Sequence, residues 1–218
     1  MKNGFTFFLG LFAALAISWG AIVLGTHAQL GALTPYYDDN EGKSFPSRTD
    51  GLAQQGALVY DDLGCASCHT QQVRRPDFGS DVARGWGTRQ SYARDYIHQA
   101  RVQLGESRVG PDLANVGARK TPYDAEDLTK LLYTGSALHP AYKFLYDDRA
   151  ITGEASSNRL ALRGALAATP GHEIVPTPRA QALVAYLLSL KQTYDYPPEA
   201  AQNTIKTAPA GKKGEGHK

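Results

Sequence analysis

Gly64-Cys65-Ala66-Ser67-Cys68-His69 decides how this chain is read. Two thiols three positions apart, followed at once by a histidine, make a C-x-x-C-H pentapeptide. The spacing has a mechanical reason. On one turn of chain both sulfurs reach vinyl groups of a single porphyrin, and the next imidazole projects beneath its iron. The motif therefore predicts one covalent haem c, attached at Cys65 and Cys68, with His69 as the proximal ligand. Two other chemistries use paired cysteines. A redox-active C-x-x-C usually opens a helix in a strand-containing fold, and no strand pattern precedes this one. A zinc site wants four ligands, and both cysteines of the chain are already in the motif.

A ligating histidine needs an acceptor for its second nitrogen, which orients the ring and raises its basicity. Val109-Gly110-Pro111-Asp112-Leu113 offers the Pro111 carbonyl, although the same residues would also make an ordinary turn. The sixth ligand is constrained by composition. Many electron-transfer haems take a methionine there, but the one methionine is Met1. The nitrogen candidates are His27, His98, His139, His172 and His217. His139 is best placed, because it follows a helix pattern and Pro140 disfavours helical backbone at the residue before it. His98 falls inside a helix pattern and His172 beside Gly171 in a loop. His27 lies at the membrane boundary and His217 in the tail. Two imidazoles would hold the potential below that of a His/Met pair and close the iron to oxygen and carbon monoxide.

Upstream, no side chain is charged between Lys2 and Asp38, and Gly4 to Leu24 is almost continuously apolar. About 20 such residues span a bilayer core as a helix. A cleaved signal peptide competes, since Thr26-His27-Ala28 loosely resembles a cleavage site, but signal apolar regions are about 7–15 residues long. Residues 1–27 are thus expected as a transmembrane anchor helix and 28–51 as a linker. From Leu33 to Thr49, Pro, Gly, Ser and charges interrupt every period, so no core is expected there.

Residues 52–194 are expected as a haem domain, and 195–218, rich in Pro, Ala, Gly and Lys, as a flexible tail. Helix periodicity covers Leu52–Leu63, Ser91–Leu104, Tyr123–Thr134 and Arg179–Leu190, the last with Pro178 where helix starts tolerate proline. Ser136 to Pro178 reads as loop, with a short helix near Leu160 to Ala168. Strand signal is slight, so the soluble part is predicted all-α. The formal net charge of +2 indicates neither a nucleic-acid partner nor an acidic tail.

Several blocks together resemble one family. They are Gly64-Cys-Ala-Ser-Cys-His-Thr-Gln-Gln-Val-Arg-Arg-Pro76, Trp86-Gly87 and Arg108-Val-Gly-Pro-Asp-Leu-Ala-Asn-Val-Gly117, then Pro140-Ala-Tyr-Lys-Phe-Leu145 and Ala182-Leu-Val-Ala-Tyr-Leu-Leu-Ser-Leu190. Following an anchor helix, this order is similar to the monohaem membrane-anchored subunit (subunit II) of cbb-type cytochrome c oxidases, the C-family haem–copper oxidases. The resemblance implies a class I-like cytochrome c domain with Cys65 and Cys68 as attachment sites, His69 as proximal ligand and Pro111 as its acceptor. In the family the residue before Pro-Ala-Tyr is the axial methionine, and here that position is His139.

The implied role is an electron relay on the periplasmic side of the cytoplasmic (inner) membrane. It would take electrons from a soluble cytochrome or a companion cytochrome c subunit and pass them to the haem–copper catalytic subunit. No oxygen chemistry would occur on this chain. Relay to a nitric oxide reductase, or a haem-based sensor or assembly role, are the alternatives. The neighbouring large subunit separates the first, and an easily displaced sixth ligand would mark a sensor.

Overall fold

The structure is a computed structural model and describes residues 3–198, so most of the expected tail lies outside the described residues. The chain divides into two compact units. One comprises the described residues up to Ser47 with Tyr92–Ile97 and those from Tyr196; the other comprises Arg48–Ser91 and His98–Asp195.

In the first unit α1 (Gly4–Leu30) is one 27-residue helix with a π-helical turn at Gly20–Leu24. Its best 18-residue window has a mean hydropathy of 2.3, and none of that window is buried. At ~1.5 Å per residue the helix is long enough to cross a bilayer core of ~30 Å.

The segment after it departs from expectation. Instead of a coreless linker, β1 (Tyr36–Asp38) pairs antiparallel with β2 (Lys43–Phe45), with Tyr36 opposite Phe45. Tyr36, Tyr96 and Tyr196 are buried. Tyr196 meets Tyr36 and Tyr92 edge-on, with ring centroids at 6.3 and 6.1 Å. The buried Arg94 guanidinium donates to the Thr34 carbonyl. Three segments distant in sequence each supply an aromatic, so no local periodicity announces this core.

The same cluster explains why the helix expected over Ser91–Leu104 does not form. Only a 3-10 turn exists there, at Ala93–Tyr96, with the Asp95 carboxylate accepting from the Tyr92 N–H at 2.8 Å. That bond belongs to a capping box of the kind that opens a helix, so the segment starts as a helix would, and burial of Arg94 and Tyr96 holds it to a single turn.

In the second unit the other helices form where expected. In α2 (Gly51–Asp62) the Asp50 side chain accepts from Ala53 N–H at 2.8 Å. In α3 (Ala125–Thr134) Asp124 and Asp127 form a capping box. Two antiparallel strands, β3 (Tyr146–Ala150) and β4 (His172–Pro176), occupy the region expected as loop, paired from Tyr146 opposite Pro176 to Ala150 opposite His172. The predicted short helix there reduces to one 3-10 turn, Gly164–Leu166. β3 hides from pattern reading because its residues after Tyr146 are all exposed and mostly charged. Among the described residues the fold is therefore helical with two small two-stranded sheets rather than all-α.

α4 (Pro178–Ser189) is capped by the Thr177 side chain and starts at Pro178, as proline's position predicts. It carries the core, with Ala180, Leu183, Val184, Tyr186 and Leu187 packed with Val59, Tyr60, Leu113, Val116, Leu128, Leu132 and Leu145.

α2 crosses α4 at Gly56. A Cβ there would stand 1.9 Å from the Ala182 carbonyl oxygen and 2.6 Å from Tyr186 Cβ. The first contact is with helix backbone, which cannot swing aside. We expect Gly56→Ala to force the helices apart and cost about 3 kcal/mol, the upper part of the overpacking range. Denaturant unfolding followed by circular dichroism measures it, and an unchanged midpoint would contradict the close crossing.

Candidate functional site

The cysteine motif begins immediately after α2, where Cys65–Ser67 form a 3-10 turn. Cys65 is half-buried, Cys68 is exposed, and both are free thiols. Burial, the largest influence, pushes the Cys65 thiol up to about 11. A disulfide-exchange pair needs the opposite, a thiolate stabilised by its surroundings.

The motif is stitched to residues 106–113. The carbonyls of Ala66, Cys68 and Thr70 accept from the N–H groups of Glu106, Gly110 and Leu113 at 2.8, 2.9 and 2.7 Å. Buried Asp112 adds side-chain bonds, accepting from Thr70 Oγ1 at 2.6 Å and Gln72 N–H at 2.7 Å. This lattice presents the Pro111 carbonyl to His69, whose Nδ1 lies 2.8 Å from it. The contact assigns the Nδ1–H tautomer to a neutral His69 and leaves Nε2 as the lone-pair nitrogen. Gly110 makes room for the ring, since a Cβ there would come within 2.1 Å of His69 Cε1.

The block that follows the motif is braced by ions. Asp81 accepts from Arg74 N–H at 2.7 Å and pairs with Arg108 Nη1 at 2.5 Å. Arg108 Nη2 also donates to the Gln72 carbonyl at 2.6 Å. Burial opposes the Asp81 charge, but the Arg108 and Arg74 bonds outweigh it and hold the carboxyl below the usual range.

His139 comes from the loop after α3, 70 positions from His69, and the structure brings the two rings together. Their centroids lie 6.2 Å apart with planes at 49°. Two imidazoles bonded by nitrogen to one iron from opposite sides would have centroids about 6.4 Å apart, from metal–nitrogen bonds of about 2 Å and about 1.2 Å from nitrogen to centroid. The pair thus has the spacing for one metal held between them. Burial first, and the facing His69 second, keep His139 below the ordinary histidine range, hence neutral and able to ligate. Among the described residues no group of three or more His, Cys, Asp or Glu is arranged to hold a metal ion.

The other candidates are placed elsewhere. His172 sits on β4 with its Nδ1 2.8 Å from Asp148, and His27 is in α1. His217 lies outside the described residues. A cleft of about 470 Å³ between α3, α4 and the Ser157–Leu160 loop contains none of the motif residues. Sequence reasoning missed Asp81 and Asp112. Asp112 lies within a quoted block and Asp81 between two of them, but a buried carboxylate cannot be told from a solvated one without the fold.

The site fits a haem by two observations: free thiols at the attachment spacing, and two imidazoles 6.2 Å apart, one of them oriented by the Pro111 carbonyl. A family model described as "Cytochrome C oxidase, mono-heme subunit/FixO" matches residues 7–168, well over half of the chain. No curated protein matches it. The match supports a haem cofactor and membership of an oxidase complex. The chain belongs to the FixO family, the mono-haem subunits of cbb-type cytochrome c oxidase.

Proposed function

We propose that this chain relays single electrons to the haem–copper catalytic subunit of its oxidase through one haem c bonded to Cys65 and Cys68. His69, oriented by Pro111, would hold the iron on one side and His139 on the other. The observation that carries this reading is the 6.2 Å separation of the two imidazoles. The haem, when bound, supplies a one-electron couple. The protein's part is to hold both imidazoles before and after transfer, so that little rearrangement accompanies the change of charge. With His69 and His139 both bound to it, a haem here would be closed to small ligands, and oxygen reduction would fall to another subunit.

In this reading residues 1–27 anchor the chain as a single pass in the cytoplasmic membrane. Residues 52–194 form a class I-like cytochrome c domain on the periplasmic side, and 28–51 connect them, carrying the β1–β2 hairpin. Electrons would arrive from a companion cytochrome c subunit or a soluble cytochrome. No contact with nucleic acid is invoked.

The test compares the full chain alone with the assembled complex, both reduced anaerobically with dithionite at neutral pH and freed of excess reductant. The isolated chain should bind no carbon monoxide and stay reduced in air far longer than the complex. Within the complex, its haem should reoxidise as oxygen is consumed. Ready carbon monoxide binding by the isolated chain would instead point to a ligand sensor.

A further inference from the structure

The two facing histidines are held by different means. His69 is locked by the Pro111 carbonyl. His139 Nδ1 is buried and makes no hydrogen bond. Its backbone is well fixed: Ser136 N–H donates to the His139 carbonyl at 2.8 Å, and Tyr142 N–H donates to the Leu132 carbonyl at 2.7 Å. Fixing the backbone does not fix rotation of the ring. The side chain that meets it is Tyr142, edge-on with centroids 5.9 Å apart at 61°. Tyr142 is in turn packed against the core beside Cys65, its hydroxyl interacting with the Cys65 sulfur, and its ring meets Phe144 at 5.9 Å and 68°.

We infer that Tyr142 is a positioning residue whose ring, wedged between the Cys65 side of the site and His139, sets the orientation of the distal imidazole. The inference rests on the haem reading above. A hydrogen bond tolerates no rotation without breaking, whereas an edge-on aromatic contact is softer and depends on shape alone. The ring rather than the hydroxyl therefore carries the role.

Electron paramagnetic resonance of the oxidised full chain reads the angle between two axial imidazoles through its largest g value. Carbon monoxide binding to the reduced chain reads how firmly His139 is held. Tyr142→Phe should match the unaltered protein in both. Tyr142→Leu should shift the largest g value and raise carbon monoxide occupancy about 10-fold, in line with the loss of ligand support. Phe144 is exposed, so Phe144→Leu spares the fold and should shift both readouts in the same direction by less. An unchanged spectrum and occupancy in Tyr142→Leu overturns the inference, even with a lowered melting temperature. So does a Tyr142→Phe variant that behaves like Tyr142→Leu. If Tyr142→Leu retains no haem, an unaltered Phe144→Leu overturns it too. Pyridine haemochrome on the unaltered chain separates the levels: absent haem sinks the functional reading, whereas haem present with unmoved signals sinks only this inference.

Discussion

Replacing Cys65 and Cys68 together by alanine is expected to leave a chain with no haem surviving denaturation. The two sulfurs are the only ones a C-x-x-C-H motif can use here, because the chain has no other cysteine. Each single replacement should retain one thioether and keep haem on the chain with an altered optical band, since one bond suffices for retention. The double variant should also lose structure. Val109, Leu138 and Phe144, beside the proximal and distal segments, are 73, 89 and 69 % exposed in the protein alone. Without a porphyrin over the site, such surface favours neither the Gly105–Leu113 loop nor the His139 loop in its observed place. Denaturing electrophoresis with haem staining, backed by intact mass, measures retention. An unaltered chain from membranes with the apo mass and two free thiols would end the covalent reading.

His139→Ala should leave covalent haem in place and open one face of the iron. Its reduced form should bind carbon monoxide at neutral pH, and its oxidised spectrum should become high-spin. His139→Met tests the donor rather than its presence. A thioether favours ferrous iron over what an imidazole does, so the potential should rise, on the order of 100 mV, within the ~0.8 V that axial ligands span across haem proteins. The position tolerates the change in shape, because both neighbours, Leu138 and Pro140, are exposed and His139 itself is half-buried. An unchanged or lowered potential in His139→Met, measured by redox titration, would contradict bis-histidine ligation.

The relative strength of these effects follows from what each group holds. On the proposed reading the cysteines would determine whether a cofactor stays, and His139 would determine which potential it has and what can reach it. Gly110 and Asp112 act one step back. They keep Pro111 where the His69 ring can use it. Departures here would weaken orientation before they release anything.

Legibility in the sequence tracked the range of the interaction. The α2, α3 and α4 helices were readable because their caps, apolar spacing and the proline at Pro178 act within a turn or two. The Ser91–Leu104 stretch was misread because helix-like spacing of Tyr92, Tyr96 and Ile97 is equally satisfied by aromatics that fold into a separate cluster. The β3–β4 pair escaped because strands with one buried residue in five, as in β3, carry no alternation. The β1–β2 hairpin escaped because Tyr36 is buried and meets a ring 160 positions away, that of Tyr196.

By itself the sequence carried the C-x-x-C-H spacing, from which haem attachment is proposed, and the apolar span. Both are matters of spacing along a few residues, which covalent geometry and helix rise translate directly into reach. It also excluded a methionine at the iron, by composition alone. Only the tertiary structure decided that His139 faces His69, that Pro111 meets Nδ1, and that Asp81 and Asp112 are buried with their partners. Those facts depend on chain segments separated by tens of residues closing on one another, and closure is set by the whole core's packing rather than by any local preference.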